Sequence, residues 1–244
     1  PKPKTHRKAG ITSALKNFIG INGNKDWLPH HTKGSKEEGG DEYLEKNVFK
    51  KIASNLIEAE DTLALSGKYK KALILQNVGF PFRVAGSIIG KDKYTEGSWY
   101  GNDTIWRTIL DLNRLILYAD KNGIIKKERQ RKYLAIGDMV ISGEGEGPLH
   151  PDPKTLGVIV LSKDPVVFDS VVAKLMGFDI TLLPSINRAF DSHEIPITDL
   201  RYEDITLCSN INDWNNIKLH KMTFPREWKF NPSSGWKGHI ELES

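Results

Sequence analysis

The chain has 244 residues, of which 39% are hydrophobic and 27% charged, so it is long enough to bury a substantial core. Its longest apolar stretches are far shorter than the roughly 20 residues that a membrane-spanning helix needs, which excludes such a helix. The formal net charge is only +4, and basic residues are interspersed with acids along most of the chain, which argues against a nucleic-acid-binding surface.

The cysteine content indicates the redox environment of the protein, and the first residues indicate whether the chain is part of a longer protein. A single cysteine, Cys208, excludes an intramolecular disulfide bond and a thiolate metal cluster within this chain. A reducing, cytoplasmic location is the simplest interpretation. The chain starts at Pro1 without a methionine, in what reads as the middle of a folded unit, and we expect a longer protein with an N-terminal portion before it.

The first part of the sequence predicts helices separated by a long loop. Apolar residues recur at helical spacing over 10–21 and again over 42–62, which predicts a short helix and a longer one. The segment 22–41 between them is rich in Gly, Asn, His, Lys and Glu and predicts a loop, and loops of this length are usually functional or disordered. Residues 71–77 fit either a strand or the end of a helix.

The clearest helical pattern lies near the middle of the chain. Apolar residues recur every three or four positions from Ile105 to Ile116. This spacing predicts a helix that begins after a cap at Asp103 and stops before Asn122 and Gly123.

The segments that follow predict a strand, a glycine-rich loop, a second strand and a helix. Residues 133–142 are rich in β-branched side chains and run into 143–148, whose glycines cannot continue a regular element. A short apolar strand over 157–161 precedes a helix that starts with proline and is capped by Asp164 or Ser162. This order favours an α/β fold with a mostly parallel sheet covered by helices.

The domain organisation follows from where this pattern ends. We expect one α/β domain over residues 1–180 and an irregular C-terminal extension over 181–244 that packs on the same domain. The extension is interrupted by prolines and is rich in aromatic residues. Aromatic rings bury a large apolar area when they dock on a folded body, so the extension is predicted to be ordered.

Asp169 is the first candidate functional residue. Its neighbours three and four positions away in the predicted helix are apolar, so the carboxylate is predicted to point inward. A buried carboxylate must be hydrogen-bonded, paired or protonated. Two interpretations stay open: Asp169 ties down a neighbouring loop, or it is a ligand-binding or acid/base group at the base of a cleft.

The segment 142–148 is the second candidate, because it follows a strand and combines two glutamates with the three glycines Gly143, Gly145 and Gly147. Its spacing is not the dinucleotide-binding fingerprint, and its acids disfavour a phosphate. Carboxylates such as Glu144 suit a metal ion, a hydroxylated substrate or a cationic group. A purely structural tight loop is the alternative.

Cationic and amide side chains flank the start of the first predicted helix, namely Lys4, His6, Lys16 and Asn17. Helix starts attract anions through their free N–H groups, so these residues predict an anion pocket. An exposed basic turn is the alternative. No pair of histidines has the spacing of a helical zinc motif, and the metal requirement stays undetermined.

Three segments in this order resemble the domain-of-unknown-function 362 family: residues 2–20 with the start Lys-Pro-Lys-Thr-His, the Gly-Glu-Gly-x-Gly-Pro run 143–148, and the Asp-Pro-Val-x-x-Asp segment that begins at 164. The resemblance covers roughly residues 2–180. Family members often begin with a further α/β segment, which implies that the chain is a fragment. Some relatives carry ferredoxin-like iron–sulfur modules, but a chain with only Cys208 is not expected to hold an intrinsic cluster.

The leading functional hypothesis is an enzyme that acts on a small polar or anionic metabolite in a cleft lined by the Gly/Glu segment and the Asp-bearing helix. In it His6, Glu144 and Asp169 are catalytic, and the ligand-binding residues are Lys4, Lys16, Asn17, Gly143, Gly145, Gly147 and Asp164. The alternative is a non-catalytic ligand- or metal-binding or assembly protein. Its protein partner would contact the 22–41 loop or the C-terminal extension.

Overall fold

The computed structural model describes residues 1–21, 23, 28–89 and 94–242. The chain divides into two compact units. The sheet unit comprises residues 1–28 and 106–244, and the helical unit comprises residues 29–105. The helices are α1 (Ala14–Ile21), α2 (Val48–Leu65), α3 (Tyr69–Ile88), α4 (Ile105–Tyr118), α5 (Pro165–Leu175) and α6 (Pro184–Asn187). The strands are β1 (Lys4–His6), β2 (Gly10–Thr12), β3 (Ala135–Glu146), β4 (His150–Ser162), β5 (Thr206–Leu207) and β6 (Ile217–Lys218).

The main sheet is mixed, so the prediction of a mostly parallel sheet was wrong. Its strand order is β2-β1-β3-β4, with a parallel pair only between β1 and β3 and antiparallel pairs on either side. The physical reason lies in the glycine-rich segment 143–148. This segment does not end the strand as predicted: β3 continues to Glu146, a short turn follows, and β4 returns beside it. Strands joined by so short a connection can pair only antiparallel.

Helix α5 covers one face of this sheet. Its N-cap is Asp164, as the sequence predicts, and its side chain accepts hydrogen bonds from the next helical N–H groups. Phe168 of α5 is fully buried, and a Cβ at Gly137 of β3 would lie 2.4 Å from its ring. The glycine therefore lets the helix approach the sheet closely enough for the ring to lie against the strand.

The C-terminal segment lies along the sheet unit through backbone and aromatic contacts. Phe230 N–H donates to the Met176 carbonyl at 2.9 Å, and Leu242 N–H donates to Gly177 at 2.9 Å. Trp236 is 1% exposed, and its indole N–H donates to the Arg7 carbonyl at 2.8 Å. The proposed domain bounds, 1–180 and 181–244, stay a prediction.

The helical unit is built on α2 and α3, joined by a short turn at Ser66–Lys68. Residues 71–77, which fitted a strand or a helix, lie in α3. The predicted loop 22–41 falls partly outside the described residues, at 22 and 24–27, and its remainder includes a short 3-10 helix, Lys36–Glu38.

The loops of the helical unit converge on Asp41. Its side chain accepts hydrogen bonds from the N–H groups of Thr32, Asp103 and Thr104, and its carbonyl accepts the Trp99 indole N–H. The start of α4 is capped by Asn102, whose Oδ1 accepts from the second and third following N–H groups. The sequence predicted Asp103 for this role, one position away.

A substitution at Gly147 tests how tightly the turn between β3 and β4 packs against Thr5. A Cβ there would lie 2.0 Å from the Thr5 carbonyl oxygen, and backbone cannot yield as a side chain does. Gly147→Ala is expected to lower the free energy of unfolding by about 3 kcal/mol. Gly20→Ala, in the last turn of α1 with open space around it, should instead raise it by up to about 1 kcal/mol. Urea unfolding of both variants checks this, and equal stabilities would contradict the crowding at Gly147.

Candidate functional site

Asp169 binds the start of helix α1. It is 2% exposed, and its two carboxylate oxygens accept hydrogen bonds from the N–H groups of Ala14 at 2.7 Å and Leu15 at 3.2 Å. The first N–H groups of a helix have no partner within it, and a carboxylate is well suited to satisfy them. Asp169 therefore acts as a cap supplied by a different helix.

Burial dominates the ionisation of Asp169. It raises the pKa of the carboxyl from 3.8 to about 7, although the two backbone hydrogen bonds and the Ser13 side chain act to lower it. The neighbouring phenol of Tyr133 also has a raised pKa, first because of its own burial and then because of the Asp169 charge. Asp169 is thus a carboxyl that gains or loses its proton near neutral pH.

The predicted anion pocket coincides with this cap. The N–H groups at the start of α1 are bound by Asp169, which is itself the anionic group at that helix end. Lys16 is half-buried on α1, and Asn17 is exposed on it. An external anion would have to displace Asp169 to reach the same N–H groups.

Glu144 holds the C-terminal segment. Its Oε2 accepts the N–H of Asn231 at 2.8 Å, its Oε1 accepts the Asn231 side-chain amide at 3.0 Å, and the Lys154 ammonium lies 3.6 Å from Oε2. Two residues further along β3, Glu146 accepts the N–H of Ser234 at 2.6 Å. The two acids of the Gly/Glu segment thus bind residues of the C-terminal extension.

The glycines of the same segment permit close approach of other backbone. Gly143 pairs with Lys4 across β1 and β3, and a Cβ at Gly143 would lie 2.8 Å from the Pro151 side chain. Gly145 donates its N–H to the Asn231 carbonyl at 2.8 Å and adopts a positive φ. The Gly147 carbonyl accepts the Arg7 N–H at 3.0 Å.

His6 stabilises the turn between β1 and β2. It is 5% exposed, and its Nδ1 accepts the N–H groups of Lys8 at 3.1 Å and Ala9 at 3.2 Å. That nitrogen is therefore unprotonated, because it acts as an acceptor. His6, Glu144 and Asp169 each accept backbone N–H groups, and each belongs to a separate hydrogen-bonded group of residues.

A site that sequence reasoning missed lies in the helical unit, around Glu42. This side chain is 4% exposed and lines two cavities, of about 210 Å³ and 100 Å³. Its Oε2 accepts hydrogen bonds from Gly34 N–H at 3.2 Å and Ser54 Oγ at 3.0 Å. Within the part of the chain that the structure describes, its Oε1 accepts no hydrogen bond. Burial raises the pKa of the carboxyl.

Polar and cationic side chains surround Glu42. The larger cavity is also lined by Lys33, Gly34, Glu38, Tyr43, Lys51, Ser54 and Asn55. The two lysines are paired at the rim, Lys33 with Glu58 and Lys51 with Glu38. Nothing in the sequence marks this site, since the partners of Glu42 are eight and twelve positions away in segments of different structure.

A second large cavity, of about 460 Å³, lies in the sheet unit between β4, α5 and the segment 206–222. Its lining is mostly aliphatic and aromatic, and the described residues that form it include no Asp, Glu, Lys, Arg or His side chain. Neither this cavity nor those beside Glu42 includes His6, Glu144 or Asp169 in its lining.

The fold and these sites define a mixed α/β protein with buried carboxylates. The chain belongs to the family described as domain of unknown function (DUF362), whose model matches residues 1–174. The resemblance seen in the sequence is thereby confirmed. No curated protein and no solved structure gives a significant match.

The described residues also bear on membrane insertion and on metal binding. Among residues 1–21, 23, 28–89 and 94–242, no helix is long and apolar enough to cross a membrane. Over the same part of the chain, no three His, Cys, Asp or Glu side chains are grouped so that they would hold a metal ion.

The pKa of Asp169 makes folding stability depend on pH. Because the folded pKa of about 7 exceeds the ordinary 3.8, the folded state binds the proton more tightly than the unfolded state between these values. Ionisation of Asp169 therefore lowers stability as pH rises through this window. Asp169→Asn should become progressively more stable relative to the wild type from pH 3.8 to about 7 and level off above it. Parallel stability profiles would contradict this.

The contacts of Glu144 predict a local effect at the C-terminal segment. Glu144→Ala leaves the Asn231 N–H without its acceptor, and the segment should open at least about tenfold more often. Amide hydrogen exchange at Gly145 and Asn231 measures this opening. Glu194→Gln, an exposed glutamate of the same unit, is the control and should leave exchange unchanged.

Proposed function

We propose that this chain binds a small polar molecule in the larger cavity of the helical unit, and that Glu42 recognises it. One observation carries the proposal: a carboxylate with 4% exposure has an oxygen that accepts no hydrogen bond from the described residues, at the wall of a cavity. This oxygen is accessible from the cavity, and a charged donor on a ligand would form a charge-assisted hydrogen bond with it, which is stronger than one between neutral groups.

The cavity constrains the class of ligand. Its volume of about 210 Å³ lies below the roughly 300–1,000 Å³ of typical small-molecule pockets, so it suits a ligand much smaller than a nucleotide. Glu42 suits an ammonium or hydroxyl donor. A ligand carboxylate would share the ammonium groups of Lys33 and Lys51 with their present partners, Glu58 and Glu38. A small zwitterion, such as an α-amino acid, meets both requirements.

The enzyme hypothesis derived from the sequence has one supporting observation. Burial raises the pKa of Asp169 to about 7, in the range useful for proton transfer. Against it, both oxygens of Asp169 and the Nδ1 of His6 accept backbone N–H groups, so each would have to break a structural hydrogen bond to act. We therefore favour ligand binding at Glu42 over catalysis by His6, Glu144 and Asp169. The cytoplasmic location stays a prediction.

Four probes test the proposed ligand class by saturation-transfer NMR on the full chain. Glycine and serine carry the ammonium and the carboxylate, whereas acetate and lactate lack the ammonium. Glycine or serine is expected to bind, with acetate and lactate at least about tenfold weaker, because only the ammonium forms a charge-assisted hydrogen bond to Glu42.

Two variants complete this test. Glu42→Gln should weaken binding of the ammonium probes by at least about tenfold. The variant is expected to fold, because it removes a charge whose burial raises the pKa of Glu42. Glu37→Gln, an exposed neighbour outside the cavity lining, should bind like the wild type. Binding that is equal in Glu42→Gln, or absent for all four probes at millimolar concentration, would sink the proposal.

A further inference from the structure

Helix α3 has two different apolar faces. The inner face carries the small residues Ala72, Gly79 and Gly86, which are buried and recur every seventh position. It contacts α2, since a Cβ at Gly79 would lie 3.6 Å from Leu56 and one at Gly86 would lie 2.9 Å from Lys50. Small residues at this spacing let the two helices approach each other closely.

The outer face is apolar as well. Leu73, Phe80, Val84 and Ile88 follow one another at intervals of seven, four and four residues, on a side of the helix away from Gly79, and their exposures range from 39% to 74%. The helix that presents them is therefore apolar on both sides, a pattern typical of a buried helix. A surface helix would normally carry polar side chains on its outer face.

The exposed apolar area is large enough for a specific interface. Tyr69, Ile74 and Ile89 extend the outer face, giving seven large side chains that are at least 39% exposed. At roughly 60–120 Å² for each such side chain, they amount to about 400–800 Å². A stable protein–protein interface buries about 800 Å² on each partner, polar atoms included. Exposed patches of this size mark interaction sites.

We propose that the outer face of α3 binds the same face of a second copy of this chain, with the two helices antiparallel. The charges on α3 favour this direction. Lys70 and Lys71 lie at the start of the helix, and α3 contains no acidic residue. A parallel pair would place four lysines side by side, whereas an antiparallel pair places them at opposite ends.

The order of residues on the outer face fits a two-fold axis. Phe80 lies near the middle of the face. A two-fold axis between positions 80 and 81 would bring the two Phe80 side chains together and place Leu73 opposite Ile88 of the other chain. Asn77 lies within the same stripe, at helical spacing from Leu73 and Val84. A single asparagine in an otherwise apolar helical interface fixes the register of the pair, which gives this contact one preferred alignment.

Sedimentation velocity on the full chain over a range of concentrations tests the proposal. The wild type is expected to dimerise at micromolar concentration, and Phe80→Glu should raise the dissociation constant at least about 100-fold, because it places two charges at the axis. Leu149→Glu, an exposed apolar residue of the sheet unit, is the matched control and should remain dimeric. Circular dichroism of both variants establishes that they fold.

Cysteine cross-linking tests the direction of the pair in a Cys208→Ser background. Phe80→Cys should cross-link with itself, whereas Leu73→Cys should cross-link only when mixed with Ile88→Cys. A wild-type chain that stays monomeric at about 100 µM, or a Phe80→Glu variant that still dimerises, would overturn the proposal. Binding of the wild-type monomer to anionic lipid vesicles, lost in Phe80→Glu, would assign the face to a membrane surface instead.

Discussion

The contact between the Asp169 carboxylate and the start of α1 is the constraint on which the sheet unit depends. It joins groups 155 positions apart in sequence, and it links the helix that follows β4 to the helix that follows β2. The carboxylate leaves water to make these two hydrogen bonds, and the raised pKa measures what that costs. Both partners lie within residues 1–174, the part matched by the family model, so the contact belongs to the family segment rather than to the C-terminal extension.

The carboxylates of the two units differ in how many of their oxygens accept hydrogen bonds. In the sheet unit, Asp169 and Glu144 accept hydrogen bonds at both oxygens, so each joins two parts of the chain. In the helical unit, Asp41 also accepts at both oxygens and organises the loops. Glu42, the next residue, accepts hydrogen bonds from the described residues at one oxygen, and it lies at a cavity. Adjacent residues thus differ: Asp41 joins loops through both oxygens, whereas Glu42 has an oxygen through which we propose that it binds a ligand.

The sequence predicted those elements that are determined by residues close to one another in the chain. The helix after Asp164 was predicted to its first residue, because a cap and a following proline act on the nearest N–H groups. The β3–β4 hairpin was missed, because the glycines at the end of β3 are typical of a loop. In the structure they lie in the strand and allow other backbone to approach it closely. Helix α3 stayed ambiguous, since Pro81 and apolar residues on both sides hide its period. Asp169 was predicted to be buried, but its partner near residue 14 could not be, because no local pattern records contacts so distant. Glu42 was missed for the same reason.

The insertion of residues 29–105 between α1 and the rest of the sheet unit has a consequence for synthesis on the ribosome. Strand β1 leaves the ribosome well before its neighbour β3, which begins at Ala135, and before Asp169, which caps α1. The helical unit, which is continuous in sequence, is translated in full during that interval and can form its local contacts first. Strands β1 and β2 therefore remain without β3, and α1 without its cap, throughout the translation of residues 29–105, and a longer inserted unit would lengthen that interval.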